Sequence, residues 1–202
     1  MNVKTTGLPG VLVIEPDQLE DSRGAFYESF RHSLVAEAAG HPFTLAQANF
    51  SVSRKGVLRG LHGVAIPPGQ AKIVTCHRGA LLDFVVDVRL GSPTFGEYVS
   101  HRLTAESGRA VYLAEGLAHG FVALEDDSCI GYLCSTEYVP GTQLDLNPLD
   151  PLLSLPWDVP GGRPLLSEKD AAAPTLREAA DLGLLPTYQD CLALYERLAA
   201  GR

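Results

Sequence analysis

Four short stretches of the chain carry the side chains that could do chemistry, and each is polar for so apolar a sequence: Asp21–Glu28, Leu58–His62, Gly116–Phe121 and Leu166–Asp170. Lys72 follows His62 by ten residues, across a turn of two prolines and a glycine. Histidine and carboxylate side chains accept and donate protons in catalysis, and lysine stabilises developing negative charge. A lone histidine in an apolar strand is more often a hydrogen-bonded core residue, so each stretch by itself is weak evidence.

Other reaction classes are not indicated. The histidines of the central region form no HxH pair and have no carboxylate at a familiar ligand spacing, so we expect no metal site: His62, His77, His101 and His119. The GxSxG, P-loop and GxGxxG motifs are absent, which argues against a hydrolase, an NTPase or a dinucleotide-binding protein. No CxxC pair occurs, and we expect small buried thiols at Cys76, Cys129, Cys134 and Cys191.

The composition excludes several partners. The 202 residues include 16 Lys+Arg and 24 Asp+Glu, and a net charge of −8 would be repelled by a nucleic-acid backbone or an anionic membrane surface. Residues 1–10 lack the apolar run of a signal peptide, and no stretch approaches the roughly 20 apolar residues of a membrane span. A 46% share of hydrophobic residues is enough for a substantial core. We therefore expect a cytoplasmic protein of one domain that binds neither nucleic acid nor a membrane.

Short strands must position the polar stretches. From Leu82 to Leu90 apolar residues alternate with Asp83, Asp87 and Arg89, which predicts a strand with one buried face. Similar runs follow, separated by turn signals, at 98–103, 110–113, 117–124 and 128–134. Strands this short and evenly spaced indicate a sandwich or barrel.

Helices are predicted only at the margins. Ser33–Ala39 is closed by Gly40, Thr175–Glu178 reads as a capping box, and Tyr188–Ala199 places three residues on one face: Cys191, Leu194 and Leu198. We divide the single domain 1–202 into N-terminal strands and a short helix (about 1–50), a β core (51–150), and a C-terminal loop with helices (151–202).

The ordered combination of motifs is more specific than any one of them. It comprises Asp21–Gly24, Gln47–Asn49, Leu58–His62, Gln70–Lys72, Val86–Arg89 with Gly91–Gly96, Ala118–Phe121, Tyr138–Pro140 and Leu166–Asp170. From Asp21 to Asp170 the chain resembles the dTDP-4-dehydrorhamnose 3,5-epimerases and their relatives that act on dTDP-4-keto-6-deoxy sugars in antibiotic pathways. The resemblance implies an all-β, cupin-like jelly roll (double-stranded β-helix) with short peripheral and C-terminal helices. It also implies a homodimer that exchanges N-terminal strands, and an isomerase without metal or cofactor.

The resemblance also implies catalytic roles. His62 would be the base, oriented by Asp170; Lys72 would face the enolate oxygen, and Tyr132 would deliver a proton to the opposite face of the sugar. Each residue also has a structural alternative. Tyr132 could be a core aromatic, Asp170 could cap the segment before Pro174, and Lys72 could be a solvated strand residue.

Substrate-binding roles follow from the same resemblance. Arg59 and Lys169 would contact the diphosphate, because charge-assisted hydrogen bonds suit phosphate oxygens. Residues from the neighbouring subunit would hold the nucleotide, with Phe26 under the thymine: Arg23, Phe26 and Glu28. The remaining contacts would come from Gln47, Asn49, His119 and Tyr138. Arg23 and Phe26 could equally be an exposed charge and an ordinary core aromatic.

Three departures from the family pattern bear on specificity. Gly63-Val64 stands where a tyrosine and then a glutamine or small polar residue are common, Gln143 where many members have glutamate, and Ala48 where an acidic residue is common. Some family members invert one carbon only, and retention of Tyr132 favours action that includes C5. A single-carbon epimerase, a cupin-fold ketoisomerase and a non-catalytic sugar-nucleotide binder remain alternatives. Binding a diphosphate with a chain of charge −8 requires its cations to converge on one cleft: Arg23, Arg59, Lys72 and Lys169.

Overall fold

A computed structural model describes residues 1–201. The strands are β1 Asn2–Thr5, β2 Val11–Glu15, β3 Leu19–Asp21, β4 Gly24–Phe26, β5 Gln47–Ser53, β6 Leu58–Val64, β7 Lys72–Arg78, β8 Ala80–Asp87, β9 Tyr98–Thr104, β10 Ala110–Leu113, β11 Leu117–Ala123, β12 Ser128–Cys134 and β13 Gln143–Asp145. The helices are α1 His32–Ala39, α2 Glu168–Ala171, α3 Leu176–Asp181 and α4 Tyr188–Ala199. No helix among these is long and apolar enough to cross a membrane.

Two antiparallel sheets form the body of the molecule. One has the strand order β1-β2-β10-β7-β12-β5, and the other β13-β6-β11-β8-β9. A core cluster joins side chains of both sheets, such as Ile73 and Val111 from the first with Val85 and Phe121 from the second. Strands β3 and β4 pair only with each other among the described residues and form a separate hairpin. The predicted all-β jelly roll is confirmed.

The predicted elements lie close to the observed ones. The runs 110–113 and 128–134 match β10 and β12 residue for residue, and β9 and β11 differ from prediction by one residue at an end. The capping box of α3 is formed: the Thr175 hydroxyl accepts from the Glu178 backbone N–H, and the Glu178 carboxylate accepts from that of Thr175. Gly40 ends α1 in the left-handed conformation that glycine favours. Helix α2 was not predicted, although its residues were singled out as a polar stretch.

The prediction that β8 buries only one face is wrong. Asp83, Asp87 and Arg89 are all 1% exposed or less. A second apolar cluster, which includes Phe84 and the C-terminal Leu176, covers the apolar face of β8, so its polar face turns inward between the sheets. Alternation in a sequence separates two faces, but it does not show whether the polar face meets water or buried partners.

Paired charges make this burial possible. Arg89 donates from Nε and Nη2 to both carboxylate oxygens of Asp87, at 2.8 and 2.6 Å, and to the carbonyl of Pro9 at 3.0 Å. Burial by itself would raise the pKa of Asp87, but hydrogen bonds from Arg89, Ser92 and Thr94 outweigh it and hold that pKa below its usual value. The pair therefore stays ionised inside the protein.

Three of the four cysteines are buried as predicted: Cys76, Cys134 and Cys191. The prediction is wrong for Cys129, which is half-buried. Its neighbour Ile130 points into the core, so Cys129 faces the outer side of the six-stranded sheet, opposite the exposed Val52.

We expect Arg89→Met to lower the free energy of unfolding by about 3–5 kcal/mol, because it leaves the Asp87 carboxylate buried without its charge partner. Urea unfolding curves at neutral pH measure this loss. Arg177→Met, which removes an exposed guanidinium, is the control and should cost far less. Equal losses in the two variants would contradict a structural role for the buried pair.

Candidate active site

A cavity of about 210 Å³ opens into the jelly roll. It is lined mainly by polar side chains of both sheets: Gln47, Asn49, Arg59, His62, Gln70, Lys72, His119, Phe121, Tyr132, Cys134, Tyr138, Gln143, Asp145 and Lys169. Nine residues with predicted site roles are among them. The sequence assigned no role to Asp145, Cys134 or Phe121.

Two glycines let the strands that carry the histidines approach closely. A Cβ added at Gly60 would lie 2.5 Å from the Cα of Gly120, and the φ of +120° at Gly60 is itself one that other residues rarely adopt. Between β6 and β11 the register pairs His62 with His119, and between β13 and β6 it pairs Asp145 with His62. The glycines of the Leu58–His62 and Gly116–Phe121 stretches therefore bring both histidines to one wall of the cavity.

His62 is hydrogen-bonded to a buried carboxylate. Its Nε2 lies 2.8 Å from Oδ1 of Asp170, which is 4% exposed and is the third residue of the short helix α2. The hydroxyl of Ser167 accepts a hydrogen bond from the Asp170 backbone N–H and begins that helix. With a proton held on Nε2 by the carboxylate, Nδ1 of His62 is the nitrogen free to accept a proton. Asp170 thus does more than cap a chain segment.

A second carboxylate lies beside the same imidazole. Oδ1 of Asp145 is 3.7 Å from Nε2 of His62 and 2.9 Å from Nζ of Lys169. The sequence held a signal for Asp145, because it lies two residues after Gln143 on a strand, and alternate residues share a face.

Lys72 enters the cavity from the opposite sheet. It is 9% exposed, and no ion pair to it occurs within residues 1–201. Burial lowers the pKa of Lys72, while the nearby Cys134, Asp83 and Asp145 act in the opposite direction. The alternative of a solvated strand lysine is therefore wrong. An ammonium group in such a water-poor site interacts strongly with any developing negative charge.

Tyr132 also faces the cavity from the six-stranded sheet. Its ring meets that of His119 edge to face, with centroids 5.9 Å apart. Burial raises the pKa of Tyr132 well above its usual value, so the hydroxyl keeps its proton at neutral pH. The predicted base and the predicted acid therefore approach the cavity from different sheets.

His119 forms a second histidine–aspartate pair. Its Nδ1 is 3.0 Å from Oδ1 of Asp83, and both side chains are buried. Burial lowers the pKa of His119, and this effect outweighs the opposing influence of Asp83. Asp83, expected on an exposed face, is instead the buried partner of a cavity residue.

Three of the four predicted cations share the cavity: Arg59, Lys72 and Lys169. Arg59 is held by a 3.0 Å hydrogen bond from its Nε to the hydroxyl of Ser53. The prediction that Arg23 joins them is not met within one chain, because Arg23 pairs with Asp21 on the exposed β3–β4 hairpin. Phe26, on the same hairpin, is 72% exposed, which excludes the alternative of a core aromatic.

The other predicted binding residues form the rim, except for one. Gln47 donates to Asn49 at 3.0 Å and accepts at 2.8 Å from the backbone N–H of Tyr138, whose side chain is 58% exposed. Glu28 lies away from the cavity and pairs with Arg31. In residues 1–201 no group of three or more His, Cys, Asp or Glu side chains could hold a metal ion.

Comparison with known proteins identifies the family. Residues 5–178 match the family described as dTDP-4-dehydrorhamnose 3,5-epimerase. The chain belongs to the dTDP-4-dehydrorhamnose 3,5-epimerase family. It is accordingly an isomerase, and the family resemblance stated from its motifs is confirmed.

Relatives of both specificities are similar to this chain. A dTDP-4-dehydrorhamnose 3-epimerase of Streptomyces niveus is 51% identical over 96% of this chain and 93% of its own length. A dTDP-4-dehydrorhamnose 3,5-epimerase of Mycolicibacterium smegmatis is 46% identical over 98% of this chain and 97% of its own length. The crystal structure of NovW, a 4-keto-6-deoxy sugar epimerase from the novobiocin cluster of Streptomyces spheroides, covers 95% of each chain with a TM-score of 0.92 and 51% identity.

One comparison bears on the prediction that retention of Tyr132 favours action at C5. ChmJ, a 3'-monoepimerase of Streptomyces bikiniensis crystallised with dTDP-quinovose, is 46% identical over 98% of this chain and 99% of that chain, with a TM-score of 0.92. A double variant of ChmJ has a histidine and a tyrosine substituted that are 70 residues apart, the separation of His62 and Tyr132 here. A tyrosine at this spacing thus occurs in an epimerase named for C3 alone. Tyr132 does not discriminate between action at C3 and action that includes C5.

We expect His119→Gln to make the free energy of unfolding less sensitive to acid. Because burial lowers the pKa of His119 below its ordinary 6.5, the unfolded chain binds the proton more readily than the folded one. Stability therefore falls as the pH drops through about 6.5, and glutamine removes this contribution. Urea unfolding between about pH 7 and pH 5 measures the slope.

His32→Gln is the matched control, since His32 is exposed on α1. It should keep the wild-type slope. His101, whose pKa burial also lowers, is present in both variants, so the difference between them reports His119 alone. A wild-type slope in His119→Gln would contradict the assignment.

Proposed function

We propose that this protein is a cofactor-independent epimerase that inverts C3, C5 or both in a dTDP-4-keto-6-deoxyhexose. The observation that carries the proposal is the placement of His62, bonded to Asp170 of α2, on one sheet and of Tyr132 on the other, around one cavity. Inversion of a carbon requires a proton to leave one face and another to arrive at the opposite face. A base and an acid on facing walls meet that requirement.

The base step uses three of the cavity residues. Nδ1 of His62 takes the proton from a carbon next to the ketone, and the Asp170 carboxylate stabilises the imidazolium that forms. The electron pair of the broken C–H bond moves to the ketone oxygen as an enolate. The ammonium of Lys72 stabilises this oxygen, and its burial strengthens the interaction.

The acid step completes the inversion. Tyr132 donates its hydroxyl proton to the opposite face of the same carbon, and the electron pair returns from oxygen to carbon. The high pKa of Tyr132 keeps the donor protonated until the enolate forms. His62 and Tyr132 regain their starting protonation by exchange with solvent, so one deuterium enters at each inverted carbon in D₂O.

The dTDP part of the substrate would occupy the rim of the cavity. Arg59 and Lys169 bind the diphosphate, and His119 binds the sugar end. Gln47, Asn49 and Tyr138 form the adjoining surface toward the nucleotide. The positions of these residues around one opening support this division.

We further propose a homodimer in which the β3–β4 hairpin is the exchanged N-terminal segment. The hairpin stands apart from both sheets and exposes Phe26, and β5 is an edge strand that exposes Phe50 and Val52. An exposed apolar edge strand is a surface that proteins normally cover. Arg23, Phe26 and Glu28 would then complete the nucleotide site of the partner. The cytoplasmic location expected from the sequence stays a prediction.

Deuterium incorporation distinguishes the candidate functions. We expect the wild-type protein, incubated with dTDP-4-keto-6-deoxyglucose in D₂O, to place deuterium at C3, C5 or both, located by NMR. Label at one carbon identifies a single-carbon epimerase, and movement of the keto group identifies a ketoisomerase. A protein that binds dTDP without any exchange is a binder, and the epimerase proposal then fails.

Two variants extend the same measurement to the site. His62→Ala should abolish exchange at both carbons, because it removes the base. Tyr132→Phe should retain some exchange, since the enolate still forms, but lose inversion, because no side chain delivers the proton to the opposite face. Wild-type exchange in His62→Ala would refute the assignment of the base.

Mixing two inactive variants tests whether subunits share a site. Phe26→Ala with Arg23→Ala damages only the half of a site that the partner supplies, whereas His62→Ala damages the other half. If sites are shared, subunit exchange between the two inactive proteins should restore about a quarter of the sites, one in each mixed dimer. Exchange assays before and after mixing measure this recovery. No recovery, with mixed dimers shown by native mass spectrometry, would place both halves in one chain.

A further inference from the structure

Asp145 lies between the proposed base and a cation proposed to bind the diphosphate. It is opposite His62 in the register of β13 and β6. One of its oxygens, Oδ1, is within 2.9 Å of the Lys169 ammonium and 3.7 Å from Nε2 of His62. The first distance is a hydrogen bond and the second is not. In this arrangement the Asp145 carboxylate is engaged by Lys169 while it stands beside the base.

The two side chains beside Asp145 differ in how firmly they are held. The Lys169 side chain is 63% exposed, so its ammonium can leave the carboxylate for another partner, while Asp145 is 22% exposed. A diphosphate offers the ammonium more negative charge than one carboxylate does. His62, in contrast, is fixed by its hydrogen bond to the buried Asp170. Binding of a diphosphate can therefore draw Lys169 away from Asp145 without moving the base.

We propose that Asp145 is a positioning residue that couples diphosphate binding to the strength of the base. The inference rests on the proposed function, because it takes His62 as the base and Lys169 as a diphosphate ligand. When the diphosphate engages Lys169, the charge of Asp145 is no longer neutralised and acts on His62. A carboxylate within about 4 Å favours the protonated imidazole, so the base takes the substrate proton more readily once the nucleotide is in place.

Other charged or titratable groups lie near His62, but none of them contacts an exposed cation that is proposed to bind the diphosphate. Asp170 on α2 holds Nε2 directly, His119 on β11 is paired with Asp83, and Lys72 faces the cavity from the other sheet. Asp145 shares a face of β13 with Gln143 and lies one alternate position closer to the base.

The Asp145→Asn variant tests the coupling through two measurements of opposite sign. Calorimetry should show tighter binding of dTDP, because Lys169 is no longer held by a carboxylate. The kcat for deuterium exchange should fall roughly tenfold, and the acidic limb of its pH profile should shift, because the protonated base has lost a charge partner. A merely structural role would weaken dTDP binding and kcat together. Asp145→Glu keeps the charge and should recover most of the exchange rate.

Two further variants make the test specific. Glu168→Gln removes an exposed carboxylate next to Lys169 on α2 and should alter neither quantity. Lys169→Met should weaken dTDP binding, and adding Asp145→Asn to it should produce no gain in affinity. Thermal unfolding confirms that each variant is folded.

The outcomes separate this inference from the function on which it rests. If Asp145→Asn matches Glu168→Gln in dTDP affinity and kcat, or if its gain in affinity persists without Lys169, the coupling is wrong. A wild-type protein that exchanges no deuterium overturns the proposed function and the catalytic half of the coupling with it. Wild-type exchange beside an unaltered Asp145→Asn overturns the coupling alone.

Discussion

A charged side chain moved from water into the space between two apolar sheets costs several kcal/mol unless other groups compensate it. This jelly roll buries the charged side chains of Asp83, Asp87, Arg89 and Lys72. Asp87 and Arg89 compensate each other by two hydrogen bonds, and Asp83 is bonded to His119. The ammonium of Lys72 has no ion pair within the described residues, and its lowered pKa records the cost. The Asp83–His119 pair links β8 to β11 within the five-stranded sheet, and the uncompensated cation marks the place where a ligand is expected to bring negative charge.

The two-sheet architecture also supplies the stereochemistry. Register on the five-stranded sheet brings His62, His119 and Asp145 to one wall, and the six-stranded sheet contributes Lys72 and Tyr132 to the other. Chemistry on both faces of a carbon is simple to arrange between facing sheets, because side chains from each point inward at alternate positions. Gly60 and Gly120 approach closely where the register of the two histidine-bearing strands shifts, and His62 stays opposite His119. The shape of the site therefore depends on Gly60 and Gly120, because a side chain at Gly60 would push the two strands apart.

Much of the molecule follows from local sequence signals. The runs that form β9 to β12, the capping box at Thr175 and the glycine that ends α1 were predicted to within a residue, whereas β8 begins two residues and ends three residues before the predicted Leu82–Leu90. Their causes act between neighbouring residues: side chains alternate along a strand, and a cap satisfies backbone groups three residues away. The predicted site residues also fall largely in one cavity, although for their roles the motif pattern of the family was needed. Asp145 was missed because it stands in no motif that the resemblance supplied.

The sequence by itself determined the all-β class, the strands β8 to β12 and the set of chemical groups, because periodicity and turn residues are local properties. Only the tertiary structure decided where those groups act. It turned the polar face of β8 inward, since the C-terminal segment covers the other face. It joined Asp170 to His62 across 108 residues and set Asp145 between His62 and Lys169. It left Arg23 and Phe26 on an exposed hairpin away from the cavity. Such contacts depend on which strands pair and which surface is covered, and those depend on the packing of the whole chain.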